Sequence, residues 1–295
     1  MAHLRRNRMS SSITDAVRRY YDANTPNFER LGQGGASIHR AVWAPGVHTR
    51  EEAFAYVDGV IAKEIAARVT GRARVLDMGC GLGASLIRLA KRLDLEGVGV
   101  TLSPVQAARG SVHIAEAGLT DRLRTIEQSY TDMPDSLGKF DAAYAIEAFL
   151  HSPSPEVFFE QAAKRLKPGG VLIVCDDLIS ERGEHSDDVR AQRWLEEFRY
   201  GWLANSLVTE ARAIELAGRA GLSFVRSDDL TSYLELRRPR DLAITAALAI
   251  GRHFPIPGQL WRSWIGGNAL QLALVHGFLT HRVMVFEFRQ AADTR

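Results

Sequence analysis

Cysteine is scarce in this chain: Cys80 and Cys175 are the only two in 295 residues. Two cysteines cannot make a disulfide framework, and neither stands at metal-ligand spacing. A stapled extracellular fold and a structural metal centre therefore drop out, and a reducing cytoplasm fits. An excess of positive charge is lacking too. Thirty-seven Lys and Arg face 35 Asp and Glu, a formal net charge of +2, so nothing favours nucleic acid, whose binding draws on concentrated positive charge. Arg5, Arg6 and Arg8 make only a short cluster in a polar leader, and no apolar segment follows them to suggest a signal peptide. A long apolar run is also missing. The nearest, residues 264–279, is broken by Gly266, Gly267, Asn268, Gln271 and His276. A membrane span needs about 20 mainly apolar residues, so this stretch reads as a buried or lid helix, and no transmembrane segment is expected. No internal repeat or low-complexity tract is visible.

What is present is a rhythm of strands and helices. Residues 73–78 form a short apolar run ending in glycines, and leucines then recur at helical spacing over residues 85–93. A second strand is expected over 97–102. Ser103 follows as N-cap, Pro104 as first helical residue and Gly118 as the stop. Further strands are expected over 123–128, 140–146, 171–175, 223–227 and 283–288, with helices from Ser154-Pro155 to near Leu166 and over 209–221. Strands alternating with helices predict an α/β fold, a doubly wound, seven-stranded, mostly parallel sheet covered on both faces. Residues 1–70 read as an N-terminal helical leader or lid with a break at Gly32-Gln33-Gly34-Gly35. Residues 71–295 read as the main domain, with aromatic-rich helical insertions near 180–208 and 232–280. Insertions beside the carboxyl edge of such a sheet are suited to shape a substrate pocket.

The most informative segment is Val75-Leu76-Asp77-Met78-Gly79-Cys80-Gly81-Leu82-Gly83, which closes a strand and opens a helix. Glycines let the backbone turn sharply and approach a ligand, and the helix N-terminus offers free N–H donors. A dinucleotide site uses G-x-G-x-x-G to cradle pyrophosphate. Here the spacing is G-x-G-x-G with Asp77 just before it. An acidic residue there repels pyrophosphate but can accept hydrogen bonds from an amino-acid ammonium, which suits a zwitterionic, phosphate-free ligand.

This segment resembles the V-L-D-x-G-C-G-x-G of class I S-adenosylmethionine methyltransferases. The resemblance extends through Gly99-Val100-Thr101-Leu102-Ser103-Pro104-Val105-Gln106 and Leu166-Lys167-Pro168-Gly169-Gly170. The G-x-T-L-S-x-x-Q run is similar to the branch containing cyclopropane fatty-acid synthases and the tocopherol and sterol C-methyltransferases. The resemblance implies a Rossmann-like methyltransferase fold with S-adenosyl-L-methionine as cofactor. Asp77, Gly79, Cys80, Gly81 and Gly83 would form its loop. Thr101, Leu102 and Gln106 would replace the usual acidic ribose ligand. Ser129 and Tyr130 stand where many members carry an adenine-contacting Asp. Tyr20-Tyr21-Asp22 resembles the branch's segment that folds over the cofactor, which makes Tyr21 a candidate for both cofactor cover and active site.

A sulfonium methyl is already activated, so alignment and desolvation are the protein's main contributions. An oxygen or nitrogen acceptor usually wants a base. An alkene carbon wants aromatic faces that tolerate a cation, and a proton acceptor. Glu147 and His151 follow the fourth strand and resemble the E-x-x-x-H region of the sterol and tocopherol enzymes. Glu147 is expected to favour nearby positive charge and His151 to remove a proton. Of the lid aromatics Trp194, Phe198, Tyr200 and Trp202, and of Phe28 and Trp43 in the leader, Tyr200 is the candidate proton carrier. The chain as a whole is similar to actinobacterial natural-product methyltransferases. That implies a small hydrophobic acceptor, terpenoid or prenylated, such as a geranyl-type chain on an indole lactam, with a cation that can cyclise. Methylation of a phenol, amine or carboxylate remains open as an alternative, as does a cofactor-binding protein without catalysis. The glycine spacing and Thr101 fit a nicotinamide dehydrogenase poorly. The long leader also admits a homo-oligomer with exchanged N-terminal helices.

Overall fold

The computed structural model describes residues 13–25, 39–251 and 259–289. Gly32 to Gly35, Phe28 and the Arg5, Arg6, Arg8 cluster lie outside them. Among the described residues no helix is long and apolar enough to cross a membrane.

A seven-stranded sheet runs through the molecule. Its strands are β1 (Ala73–Met78), β2 (Leu95–Thr101), β3 (Leu123–Glu127), β4 (Phe140–Ile146), β5 (Leu166–Ile179), β6 (Leu222–Asp229) and β7 (Leu279–Phe288). Their spatial order is β3-β2-β1-β4-β5-β7-β6. The first five are parallel, and β7 slots between β5 and β6 antiparallel to both. The sequence reading of a mostly parallel, doubly wound sheet holds.

Alternation along β1 sends Val75 to one face and Leu76 and Met78 to the other, and each face buries its own core. On the first face Val75 packs with Val57, Ile61 and Ile65 of helix α2 (Arg50–Ala66) and Leu86 and Leu89 of α3 (Ala84–Arg92). On the other, Phe158 and Phe159 of α5 (Pro155–Arg165) and Leu216 of α8 (Glu210–Arg219) join Leu76 and Met78. Helix α4 (Pro104–Glu116) starts as expected: Pro104 is its first residue, the Ser103 side chain accepts from Gln106 N, and Gly118 beyond its end has φ +68°.

The two insertions form one structure. The first holds the single turn α6 (Glu181–Glu184) and α7 (Val189–Trp202), the second α9 (Pro239–Gly251) and α10 (Gln259–Val275). Trp194 and Phe198 of α7 pack against Leu270, Ala273 and Leu274 of α10 in a third core, separate from the two that clothe the sheet.

The N-terminal region divides. Helix α2 belongs to the sheet's core. The helix over residues 13–25, α1, instead brings Val17, Tyr20 and Tyr21 to a cavity above the carboxyl ends of the parallel strands. Residues 39–49 form a strap that leads into α2. Its Val42 bridges Leu234, and Trp43 N donates to Tyr233 O at 2.8 Å. Helix α1 thus lies over the cavity of the chain as described.

Candidate active site

The cavity lies where β1, β2 and β4 end, the switch region in which doubly wound sheets bind ligands. Mouth included, it encloses about 1190 Å³. Its first wall is the glycine loop. Gly79, Gly81 and Gly83 all take positive φ, at +102°, +51° and +77°. A Cβ on Gly79 would stand 2.5 Å from Ala148 Cβ, so both the turn and the space require glycine there. Gly83 is the left-handed N-cap of α3 and shapes the loop without lining the cavity. Cys80 lines it, and burial pushes its thiol well up, so it is a space-filling wall rather than a nucleophile.

Asp77 is only 3% exposed. Tyr144 donates to its Oδ2 at 2.8 Å. Burial outweighs that bond and pushes the carboxyl up to about 7. A buried carboxylate held this high is short of positive charge, and a ligand ammonium would supply it. Across the loop, Thr101 Oγ1 donates to Gln106 Oε1 at 2.7 Å. This orients the amide, whose buried Nε2 has no partner among the described residues. Gln106 and Leu102 line the cavity, and a donor there matches ribose hydroxyl oxygens. An ammonium acceptor and a hydroxyl donor around a loop that repels pyrophosphate fit S-adenosylmethionine.

Tyr130 also lines the cavity, with its hydroxyl donating to Ala148 O at 2.8 Å. Ser129 does not. Its Oγ lies 2.7 Å from Thr131 Oγ1 and accepts from Thr131 N, because a short hydroxyl in a turn bonds its own loop first.

The remaining walls carry the groups expected to face the acceptor. The one-turn helix Phe149–His151 after β4 brings His151 to the cavity. His151 Nδ1 lies 3.4 Å from Leu203 O, which can only accept, so the proton sits on Nδ1 and Nε2 accepts from the Tyr21 hydroxyl at 2.7 Å. Burial lowers the imidazole to about 4 and raises the Tyr21 phenol well above its ordinary value. Both are neutral at pH 7.

Glu147 lines the same cavity with a left-handed backbone, φ +49°. It is engaged: its Oε1 accepts from Arg40 N at 2.8 Å and from Arg40 Nε at 3.2 Å. Arg40 Nη2 reaches Asp177 Oδ1 at 2.6 Å. Burial would raise both carboxyls, but Arg40 overcomes it and holds each below its ordinary value. Two carboxylates share one guanidinium, and His281 Nδ1 also lies 3.1 Å from Asp177 Oδ1.

Tyr200 is not part of the site. It is 59% exposed, Arg262 lies 4.2 Å from its ring centroid, and it does not line the cavity. Trp202 does. Residues two apart on a helix point about 200° around its axis from one another, so one of the pair had to face away. Trp194 and Phe198 are core, and Trp43 packs beside Ala41, Ala53 and Phe54.

Sequence reasoning passed over His39 and Asp177, which line the cavity, and singled out Tyr21 but not Tyr20 from their shared motif, though both line it. It also missed the link from Ser103 Oγ to Asp22 Oδ1, 2.5 Å, which ties α1 to the start of α4. Asp177 carried a usable signal, an acidic residue at the end of a buried strand, the reasoning that had singled out Glu147.

Comparison with known proteins agrees with this geometry. Residues 75–170 match the methyltransferase domain family. The chain is 26% identical over 227 residues to the sterol 24-C-methyltransferase ERG6B of Gibberella zeae, an alignment covering 77% of this chain and 58% of that protein. It therefore spans under two thirds of that relative's length. The cyclopropane synthase MmaA2 of Mycobacterium tuberculosis superposes with a TM-score of 0.72 at 20% identity, over 93% of this chain and 98% of the other. The geranyl diphosphate C-methyltransferase of Streptomyces coelicolor A3(2) gives 0.64 at 14% identity, over 93% and 97%. At these identities the solved structures are similar in fold.

Proposed function

We propose that the chain transfers the methyl of S-adenosylmethionine to an alkene carbon of a terpenoid or prenylated acceptor, and that the Tyr21–His151 pair receives the proton released. One observation carries this reading: the cavity holds a buried Tyr21–His151 pair, hydroxyl to Nε2 2.7 Å, whose imidazole burial lowers to about 4. A base that weak is poor at activating a phenol or an ammonium, whose protons are held far more tightly. It suffices for a proton beside a carbocation, which is strongly acidic, and it stays in its accepting form at any physiological pH.

When bound, the cofactor supplies an electrophilic methyl. The chain's residues do the rest. Asp77 would hold the donor's ammonium and Gln106 its ribose hydroxyls, and α1 would exclude water above them. That methyl would bond to the acceptor's alkene π pair, the electrons of the old bond staying with the donor's sulfur. Positive charge left on the neighbouring carbon would be favoured by the nearby carboxylates of Glu147 and Asp177 and by the faces of Tyr21 and Trp202. The cation then loses an adjacent proton to His151 Nε2, directly or through Tyr21. Where the acceptor carries an indole, its π electrons close a ring first and the ring proton leaves. The sterol 24-C-methyltransferase relative and the geranyl diphosphate C-methyltransferase fold neighbour, both named for methylation at carbon, support the acceptor class.

Isotopically labelled methyl donor, offered with a geranylated indole lactam, prenyl diphosphates, a sterol and simple phenols, tests the reading. Label located by NMR on a former alkene carbon, with a new ring or shifted double bond, is the expected result. Label on oxygen or nitrogen would replace the cation mechanism with simple substitution on the alternative acceptors.

A further inference from the structure

Trp202 ends α7, and its placement depends on two glycines that no turn requires. Gly201 and Gly266 are not among the positive-φ glycines, so their reason is space. A Cβ on Gly201 would lie 2.4 Å from Gly266 Cα and 2.8 Å from Arg262 O. One on Gly266 would lie 2.5 Å from Trp202 Cδ1 and 2.7 Å from Gly201 Cα, and one on Gly267 would lie 3.6 Å from Trp202 Nε1. Helices α7 and α10 therefore touch backbone to backbone, and the indole rests on the bare chain of Gly266-Gly267. Its Nε1 donates to Ser263 O at 3.2 Å, while Ser263 Oγ reaches the Tyr20 hydroxyl at 3.3 Å. Trp202 and Tyr20 both line the cavity. The indole is pinned at its polar edge and backed by main chain, where α7, α10 and α1 meet.

We propose that Trp202, seated on Gly266-Gly267, is the residue that reads the length of the acceptor's apolar chain. The proposal rests on the prenyl-acceptor reading above. A flexible side chain would yield to acceptors of several lengths. A large ring tied at its indole nitrogen and backed by main chain yields less and sets a firmer end to the space. Trp194 and Phe198, from the same helix, are spent on the lid's own core and cannot serve this purpose. The glycine floor makes the position adjustable in two directions. Truncating the ring lengthens the space, and a methyl on Gly266 pushes the ring forward and shortens it.

The test is calorimetric titration of enzyme saturated with S-adenosylhomocysteine, using dimethylallyl alcohol, geraniol and farnesol as probes. Trp202→Ala is expected to move the preference one isoprene unit longer, changing the affinity ratio of neighbouring probes by about tenfold. Trp202→Phe should change it less, and Gly266→Ala should shift it toward the shorter probe. Affinity for S-adenosylhomocysteine should stay within about twofold. A merely structural role for Trp202 would weaken all probes alike. Should Gly266→Ala fail to fold, the two Trp202 variants decide. A wild-type length preference that Trp202→Ala leaves intact overturns this proposal alone. A wild type that binds none of the probes overturns the acceptor class, and this proposal with it.

Discussion

The cofactor half of the cavity is built from consecutive strand ends, and the acceptor half from segments far apart in the chain. Asp77, the glycine loop, Thr101 and Gln106 fall within thirty residues of sequence, on β1, β2 and the helices they feed. Tyr21, His39, Glu147, His151, Asp177 and Trp202 come from five separate stretches that only the folded sheet and the two joined insertions bring together. The first half is rigid because its backbone geometry leaves no alternative at Gly79. The second is held by side chains: Asp22 on Ser103, Tyr21 on His151, Arg40 across Glu147 and Asp177. One half can therefore be broken by changing backbone freedom and the other by removing single polar groups.

The largest effect is expected from Gly79→Val. Its left-handed φ and the 2.5 Å approach to Ala148 leave no room for a branched side chain. Strain of this kind costs about 1–3 kcal/mol before any clash, so cofactor affinity should fall at least about 100-fold by calorimetry. Gly81→Val should behave alike. His151→Ala should cut label transfer about 100-fold, the lower range for loss of a general base, and leave cofactor affinity nearly unchanged. That pair of results separates the halves: one variant loses binding, the other turnover.

Asp77→Asn should weaken the cofactor about tenfold, the worth of a charged hydrogen bond. It also carries a proton signature. In the cofactor-free protein Asp77 titrates near 7, so at pH 6 it is mainly protonated, and an arriving ammonium draws the carboxyl down. Binding at pH 6 should release a proton and weaken as the pH falls from 8 to 6. At pH 8 the carboxylate is already ionised and the release should vanish. Titration in buffers of different ionisation enthalpy measures this, and the Asn variant should show no release. The smallest effect is expected at Tyr200→Phe, with turnover and product unchanged, since the hydroxyl stands outside the cavity.

The same contrast explains what was legible in the sequence. Ser103 as N-cap, Pro104 as first helical residue and Gly118 as the stop are local signals, and each sits where expected. The glycine loop was legible because a strand, a sharp turn and a helix N-terminus fit in nine residues. β7 was expected over 283–288 but begins at Leu279, and its antiparallel place between β5 and β6 depends on partners distant in sequence. Helical spacing placed Tyr200 and Trp202 on one helix but could not say which faced inward, since α10 decides that. Ser129 was misplaced for another reason. A serine hydroxyl in a turn has near neighbours competing for it, and Thr131 won. Glu147 was correctly located at the end of β4, but its tie to Arg40 joins residues 107 apart in the chain.

The central claim is that the acceptor half needs a proton sink rather than an activating base, and a pH profile of single-turnover methyl transfer tests it most directly. His151 is lowered to about 4, so its accepting form persists as pH falls and is lost only near that value. With cofactor and acceptor saturating, the rate should stay level from pH 8 to pH 5. A rate that falls tenfold per unit of pH below the ordinary histidine value of about 6.5 would show a base that must be deprotonated to activate its acceptor, and would contradict the carbocation mechanism.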